Sequence, residues 1–183
     1  MTGKYYKFIV IGNDKIGGVL YAPSNWPYPI AKDGEEIKNW ESLVVELKDG
    51  TYRPFHMCVG GANLVNKELK TLIESYTTPE SEIEFLPIKA ISKEYGNKTY
   101  YIIHFKKIHD IDKENTIYIK GTDSIIKLRV DYKKVKDLHI FNSQPNINDI
   151  IVSETLYKAI KKQKLNLGLD FMPIYYILEE SKE

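Results

Sequence analysis

Polar and apolar residues alternate along Lys4–Ile11, which predicts a strand with Tyr6, Phe8 and Val10 on one face. Gly12-Asn13-Asp14-Lys15 then offers a turn, so Gly17–Ala22 is expected to return as the second strand of a hairpin. Pro23–Asp33 is a loop with Pro23, Pro27 and Pro29 set around Trp26 and Tyr28. Ser42–Lys48 is a further strand, closed by Asp49-Gly50. The period then changes. Leu69, Leu72, Ile73 and Tyr76 recur at the i, i+3, i+4, i+7 spacing of one helix face, with Asn66 as N-cap and Glu68 in the first turn. Glu82–Ile91 is extended, Tyr95-Gly96-Asn97 turns it, and Thr99–Ile108 returns with Tyr101, Ile103 and Phe105 on one face. Asn115–Lys120 and Ser124–Val130 read as a hairpin, and Asp131–Asp137 as a charged connector with one helical turn. Ser153 caps a second helix with Leu156, Ala159 and Ile160 inward; Asp170–Leu178 is the last strand, before the polar tail Glu179–Glu183.

The two helical segments are copies of one plan. Val65, Asn66, Leu69 and Ile73 match Val152, Ser153, Leu156 and Ile160 at a constant offset of 87. Phe85-Leu86-Pro87-Ile88 matches Phe171-Met172-Pro173-Ile174 at an offset of 86. Each unit reads as helix, short loop, strand. Proline cannot donate to a ladder, so Pro87 and Pro173 belong on an edge or at a bulge, and their recurrence predicts a shared bulge. The expected fold class is α+β: a mixed, largely antiparallel sheet with two helix–strand repeat units and few helices. One domain is expected over 1–183, with residues 1–61 a candidate N-terminal lobe carrying partner-facing loops.

Hydrophobic content of 43% with 28% charged residues rules out a disordered chain. A net charge of +1 supplies no global field for nucleic acid or an anionic membrane, so a charged partner must be read by a local patch. The lone Cys58 excludes an internal disulfide and suits a reducing cytosol. Met1–Val10 has no charged-then-apolar leader, and no apolar run approaches the roughly 18–20 residues of a bilayer span. A cytoplasmic location is expected.

The search for chemistry is largely negative. Gly12–Gly18 lacks the spacing of a phosphate loop and reads as a hairpin turn. His56, His104, His109 and His139 show no i, i+4 pair and there is no second cysteine, so neither a metal site nor a cofactor is expected. His104 shares a strand face with Tyr100 and Lys106, the more polar one, and reads as a solvated strand histidine. The alternative makes it the general base of a small hydrolase with Asp112, near Asp110. In His56-Met57-Cys58 adjacent residues point to opposite faces, so Cys58 reads as a buried thiol rather than a nucleophile. Lys158, Lys161, Lys162 and Lys164 are the solvated face of the second helix, the Lys158–Lys164 stretch being the alternative nucleic-acid surface. Two features suit protein recognition better. Trp26, Tyr28 and Trp40 offer aromatic anchors, and Glu80, Glu82 and Glu84 alternate into an acidic stripe.

From Leu64 onward the pattern resembles a bacterial immunity-protein family of polymorphic toxin systems, the eleventh such family. The residues that carry the likeness are the capped helix ending in Ile83-Glu84-Phe85-Leu86-Pro87-Ile88, the Tyr100–Lys107 strand with His109-Asp110-Ile111-Asp112, and Leu138-His139-Ile140-Phe141. Ile150-Ile151-Val152-Ser153, taken as the start of the last helix, and Gly168-Leu169-Asp170-Phe171-Met172-Pro173-Ile174 complete it. The family-like region runs over 64–178, and Pro23–Gly61 matches nothing in it. The resemblance implies a cytosolic protein that neutralises a protein toxin encoded by an adjacent gene, by stoichiometric occlusion and without catalysis. No catalytic residue carries over.

Overall fold

The computed structural model describes residues 4–10, 18–24, 26, 34–59, 61–78, 83–109, 112–114, 116–122, 125–129, 132–143 and 149–174. The turn at Gly12–Lys15, Tyr28, Glu80, Glu82, Asp110 and the tail after Ile174 lie outside them. The strands are β1 (Tyr5–Val10), β2 (Gly18–Tyr21), β3 (Leu43–Gly50), β4 (Phe55–Val59), β5 (Asn63–Val65), β6 (Ile83–Ile91), β7 (Lys98–Phe105), β8 (Ile117–Tyr118), β9 (Ile125–Lys127), β10 (Ile140–Asn142), β11 (Ile150–Ser153) and β12 (Leu169–Ile174). The helices are α1 (Lys67–Glu74), α2 (Tyr132–Val135) and α3 (Glu154–Lys162). The class is α+β, as expected, with short helices on a strand-rich frame.

Six strands close into a barrel in the order β2-β3-β6-β7-β5-β4. Only β2–β4 and β3–β6 run parallel; the other pairings are antiparallel. Alternation sorts each strand between two cores. Leu20, Val45, Leu47, Cys58, Leu64, Leu86, Ile88, Tyr100 and Ile102 fill the barrel. On the outer wall Phe55, Val65, Ile103 and Phe105 meet Leu69, Leu72 and Ile73 of α1, Leu156 and Ile160 of α3, and Phe8, Ile150, Val152 and Leu169 of a second sheet. That sheet has the order β10-β11-β1-β12 and is antiparallel throughout. Its far face packs Tyr5, Ile151 and Ile174 against Val135, Leu138 and Phe141.

The sequence repeat proves larger in three dimensions. Val65 pairs with Phe55 on one side and Tyr101 on the other, and Tyr101 also pairs with Pro87. Val152 pairs likewise with Ile140 and Tyr6, and Tyr6 with Pro173. The four-strand run β4-β5-β7-β6 therefore corresponds to β10-β11-β1-β12. In each unit the strands before and after the helix are parallel, with an antiparallel strand between them, a split β-α-β arrangement. The middle strand follows its unit as β7 in the first copy; in the second it comes from the chain's start as β1. Side chains repeat with the strands. Tyr100 and Tyr5 are both buried and donate their hydroxyls to the Arg53 and Val135 carbonyls, each at 2.6 Å. Tyr100 stands edge-on to His56 at 5.4 Å, and Tyr5 edge-on to Phe141 at 5.4 Å. The caps agree as well: Asn66 Oδ1 accepts the Leu69 N–H at 2.9 Å and Ser153 Oγ accepts the Leu156 N–H at 3.3 Å. Each such cap contributes about 1 kcal/mol.

Four expectations need correction. β1 and β2 do not form a hairpin, because both edges of β1 are taken by β11 and β12 while β2 pairs with β3 and β4. Ile150–Ser153 is a strand that ends at the cap of α3, as Asn63–Val65 is before α1. The face shared by Tyr100 and His104 is the barrel interior, not a solvated face; both side chains are buried and their polar atoms meet backbone carbonyls. The prolines mark no bulge, since the pairing register runs without a shift through Pro87 and Pro173. Among the described residues before 62, β1 lies in the second sheet and β2–β4 in the barrel.

What the prolines mark is an edge. Pro87 turns its ring nitrogen away from β7, where β3 begins to pair only from Ile88 and the Trp40 indole donates to the Pro87 carbonyl at 2.8 Å. β12 ends its sheet, and its outward amides are those of Leu169, Phe171 and Pro173. Leu169 N–H donates to Asn166 O at 2.9 Å, Phe171 N–H to Asp170 Oδ1 at 2.8 Å, and Pro173 has no N–H. An edge without donors cannot template another strand. Asp170→Ala with Pro173→Val restores two donors; light scattering is expected to show concentration-dependent self-association beyond wild type, and an unchanged mass would contradict the edge assignment.

Candidate functional site

One end of the barrel is closed by the segment Gly34–Trp40. Gly34 N–H donates to Phe105 O at 2.8 Å, and Ile37 N–H donates to Glu84 Oε1 at 3.0 Å. His104 Nε2 lies 2.7 Å from Glu35 O and 3.6 Å from Glu84 Oε1. A carbonyl only accepts, so Nε2 carries the proton in that contact. The His104 side chain is 0% exposed, which puts it out of a substrate's reach and removes the basis for a His104/Asp112 hydrolase. Asp112 belongs to another neighbourhood, its N–H donating to Arg129 O at 3.0 Å. Trp26 and Trp40 pack half-buried against the barrel core. Of the six candidate partner residues, then, Trp26, Trp40 and Glu84 gather at this end of the barrel. Glu84 is held by Ile37, while Tyr28, Glu80 and Glu82 lie outside the described residues.

Beside the barrel a cleft of about 520 Å³ opens between the β3–β4 connection, the start of α1 and the start of β7. Tyr52, Tyr100 and Tyr101 line it, with Arg53, Lys67, Lys98 and Glu68 as its charged groups. Its walls are tied to backbone: Tyr52 donates its hydroxyl to the Gly96 carbonyl at 2.8 Å, Tyr100 donates to Arg53 O, and Asn66 N–H donates to Pro54 O at 2.8 Å. Lys98 Nζ stands 5.0 Å over the Tyr52 ring and Lys70 Nζ 5.1 Å over Tyr101. Burial lowers the Arg53 guanidinium from its ordinary value and raises the Tyr52 and Tyr100 phenols. Gly168 has φ +83°, a conformation that L side chains rarely adopt, and a Cβ on it would lie 2.7 Å from Arg53 Nη1 at the end of that side chain.

The remaining candidates are occupied structurally. Cys58 is 2% exposed, and burial pushes its thiol up to about 11. On α3, Lys158 pairs with Glu154 at 3.0 Å and Lys161 lies 5.5 Å over the Phe171 ring. Among the described residues no group of three or more His, Cys, Asp or Glu converges as metal ligands, and no helix is long and apolar enough to cross a membrane.

Residues 24–175 match the immunity protein family Imm11. The chain belongs to that family. No curated protein matches it. The Imm11 region starts well ahead of Leu64, so most of Pro23–Gly61, with β3 and β4, is part of the family pattern. It also contains the whole first unit and all of the second except β1. Sequence patterning alone does not reveal the cleft, whose residues are dispersed over 52–101. One signal is present: Lys67 stands in the first helical turn where the offset of 87 places Glu154 in the other copy.

Because the Cys58 thiol holds its proton more tightly when folded than at the ordinary 9.0, its contribution to stability is complete below pH 9 and is lost as pH rises toward 11. At pH 8 a two-unit rise leaves roughly 100-fold less thiolate. Iodoacetamide is therefore expected to modify the native protein at least about 100-fold more slowly than the urea-unfolded chain. Equal rates would contradict the burial of Cys58.

Proposed function

We propose that this Imm11 protein binds a cognate bacterial toxin and neutralises it by stoichiometric occlusion, with no catalysis of its own. The observation that carries the reading is membership of an immunity protein family across residues 24–175. Two structural features support it: the only cysteine is buried with a raised pKa, and the strand histidine best placed for acid–base work is enclosed and bonded to a carbonyl. The toxin is encoded by an adjacent gene, and the two meet in the cytoplasm. Tight inhibition needs an interface of about 1,200–2,000 Å² with a few aromatic anchors. Trp26, Tyr28 and Trp40 are proposed as such anchors. Glu84 being engaged, the acidic stripe rests on Glu80 and Glu82.

Expression of the adjacent gene's toxic domain alone is expected to arrest growth, and co-expression of this chain to restore it. Purified together, the two should elute as a complex of fixed stoichiometry. Unimpaired growth without this chain, or protection without a complex, would refute the occlusion reading.

A further inference from the structure

The cleft between Tyr52 and Lys67 is a place where the two structural units differ in charge, and each unit serves as an internal control for the other. In the second unit the position of Lys67 is Glu154, in the first turn of α3, where a negative charge suits the helix dipole. In the first unit a lysine sits there against the dipole, exposed and without a carboxylate partner among the described residues. Counted along the sequence from the Tyr100–Tyr5 match, the position of Lys98 falls on Gly3, outside the described residues. The scaffold is thus built once with a glutamate at the position of Lys67, so a lysine there is not a requirement of the fold.

The cleft has the makings of a recognition pocket. At about 520 Å³ it falls within the usual range of ligand pockets. Tyr52 and Tyr100 are fixed by hydrogen bonds to carbonyls, so those side chains have little freedom left to lose on binding. Lys98 stands over the Tyr52 ring, and Lys67 lines the same cleft. Arg53, Lys67 and Lys98 against Glu68 leave a local excess of positive charge on a chain whose net charge is only +1.

We propose that this cleft receives an acidic loop of the toxin, its carboxylates meeting Lys67 and Lys98 while the chain beside them packs on Tyr52 and Tyr101. The assignment rests on the toxin reading, and charge complementarity selects the occupant: a carboxylate-bearing protein segment fits a positive, tyrosine-floored cleft with one acidic residue on its rim.

The test uses the full chain, the purified toxic domain of the adjacent gene's product, and the double variant Lys67→Glu, Lys98→Glu. Titration calorimetry is expected to show affinity falling by about 30-fold or more, with a shallower dependence on salt. The melting temperature of the variant should hold or rise, since a carboxylate in place of Lys67 would suit the α1 dipole. Lys158→Glu, Lys162→Glu on the exposed face of α3 is the control and should bind like wild type. Undiminished binding by the cleft variant overturns the inference while leaving the toxin reading intact. Failure of wild type to bind the domain overturns the toxin reading itself. Inorganic phosphate is the second probe: if it stabilises wild type but not the cleft variant, and the toxin binds both equally, the cleft serves a small anion and the inference falls.

Discussion

Leu69, Leu72 and Ile73 of α1 and Leu156 and Ile160 of α3 lie in one core between the barrel wall and the second sheet. Each fully buried aliphatic side chain there contributes about 1.5–3 kcal/mol. The remainder of the structure leans on that layer. The second sheet has four strands and one helix to cover a face that includes Phe8, Ile150, Val152 and Leu169, and the barrel presents Phe55, Val65, Ile103 and Phe105 outward on the same side. Neither sheet covers its own apolar face; two capped helices, one from each unit, cover both. The caps matter for this reason, because they fix where each helix leaves its strand and hence which residues reach the shared layer.

The two units then part ways at their edges. In the first, β3 and β2 add to β6 and β4, pair with each other and close the barrel, leaving the stretch of β6 before Ile88 without β3 beside it. In the second, the strand equivalent to β6 stays at the margin and is blunted by Asp170, Asn166 and Pro173. One proline position thus answers two different needs. Beside β3 it marks where pairing begins, and on β12 it helps to prevent pairing.

Much of this is legible in the chain. Periodicity locates both helices and their caps, and the offset of 87 identifies the repeat. The pattern of Ile83–Ile88 and Gly168–Ile174 points to the family to which residues 24–175 belong. What escapes is long-range pairing. Nothing local says that β1, at the start of the chain, completes a unit whose other strands lie beyond residue 139, and so the repeat looks like helix and strand alone. The face of His104 misleads for a related reason: tyrosine, histidine and lysine spell a polar face, whereas a barrel can bury tyrosine and histidine if each finds a carbonyl. The cleft is invisible because its walls come from three separated segments, although Lys67 against Glu154 is a difference that the repeat itself exposes.

The dependence of both sheets on one helical layer has a direct thermodynamic consequence. If α1 and α3 are the common cover, neither unit can open its core while the other stays closed. Native-state hydrogen exchange at the amides of Ile102, in the barrel, and Val152, in the second sheet, measures that coupling. The two should exchange with the same opening free energy and the same dependence on denaturant, equal to those of global unfolding. A Val152 amide that opens at a distinctly lower free energy, through an event that leaves Ile102 protected, would mean that the units are independent and that the shared layer does not hold the structure together.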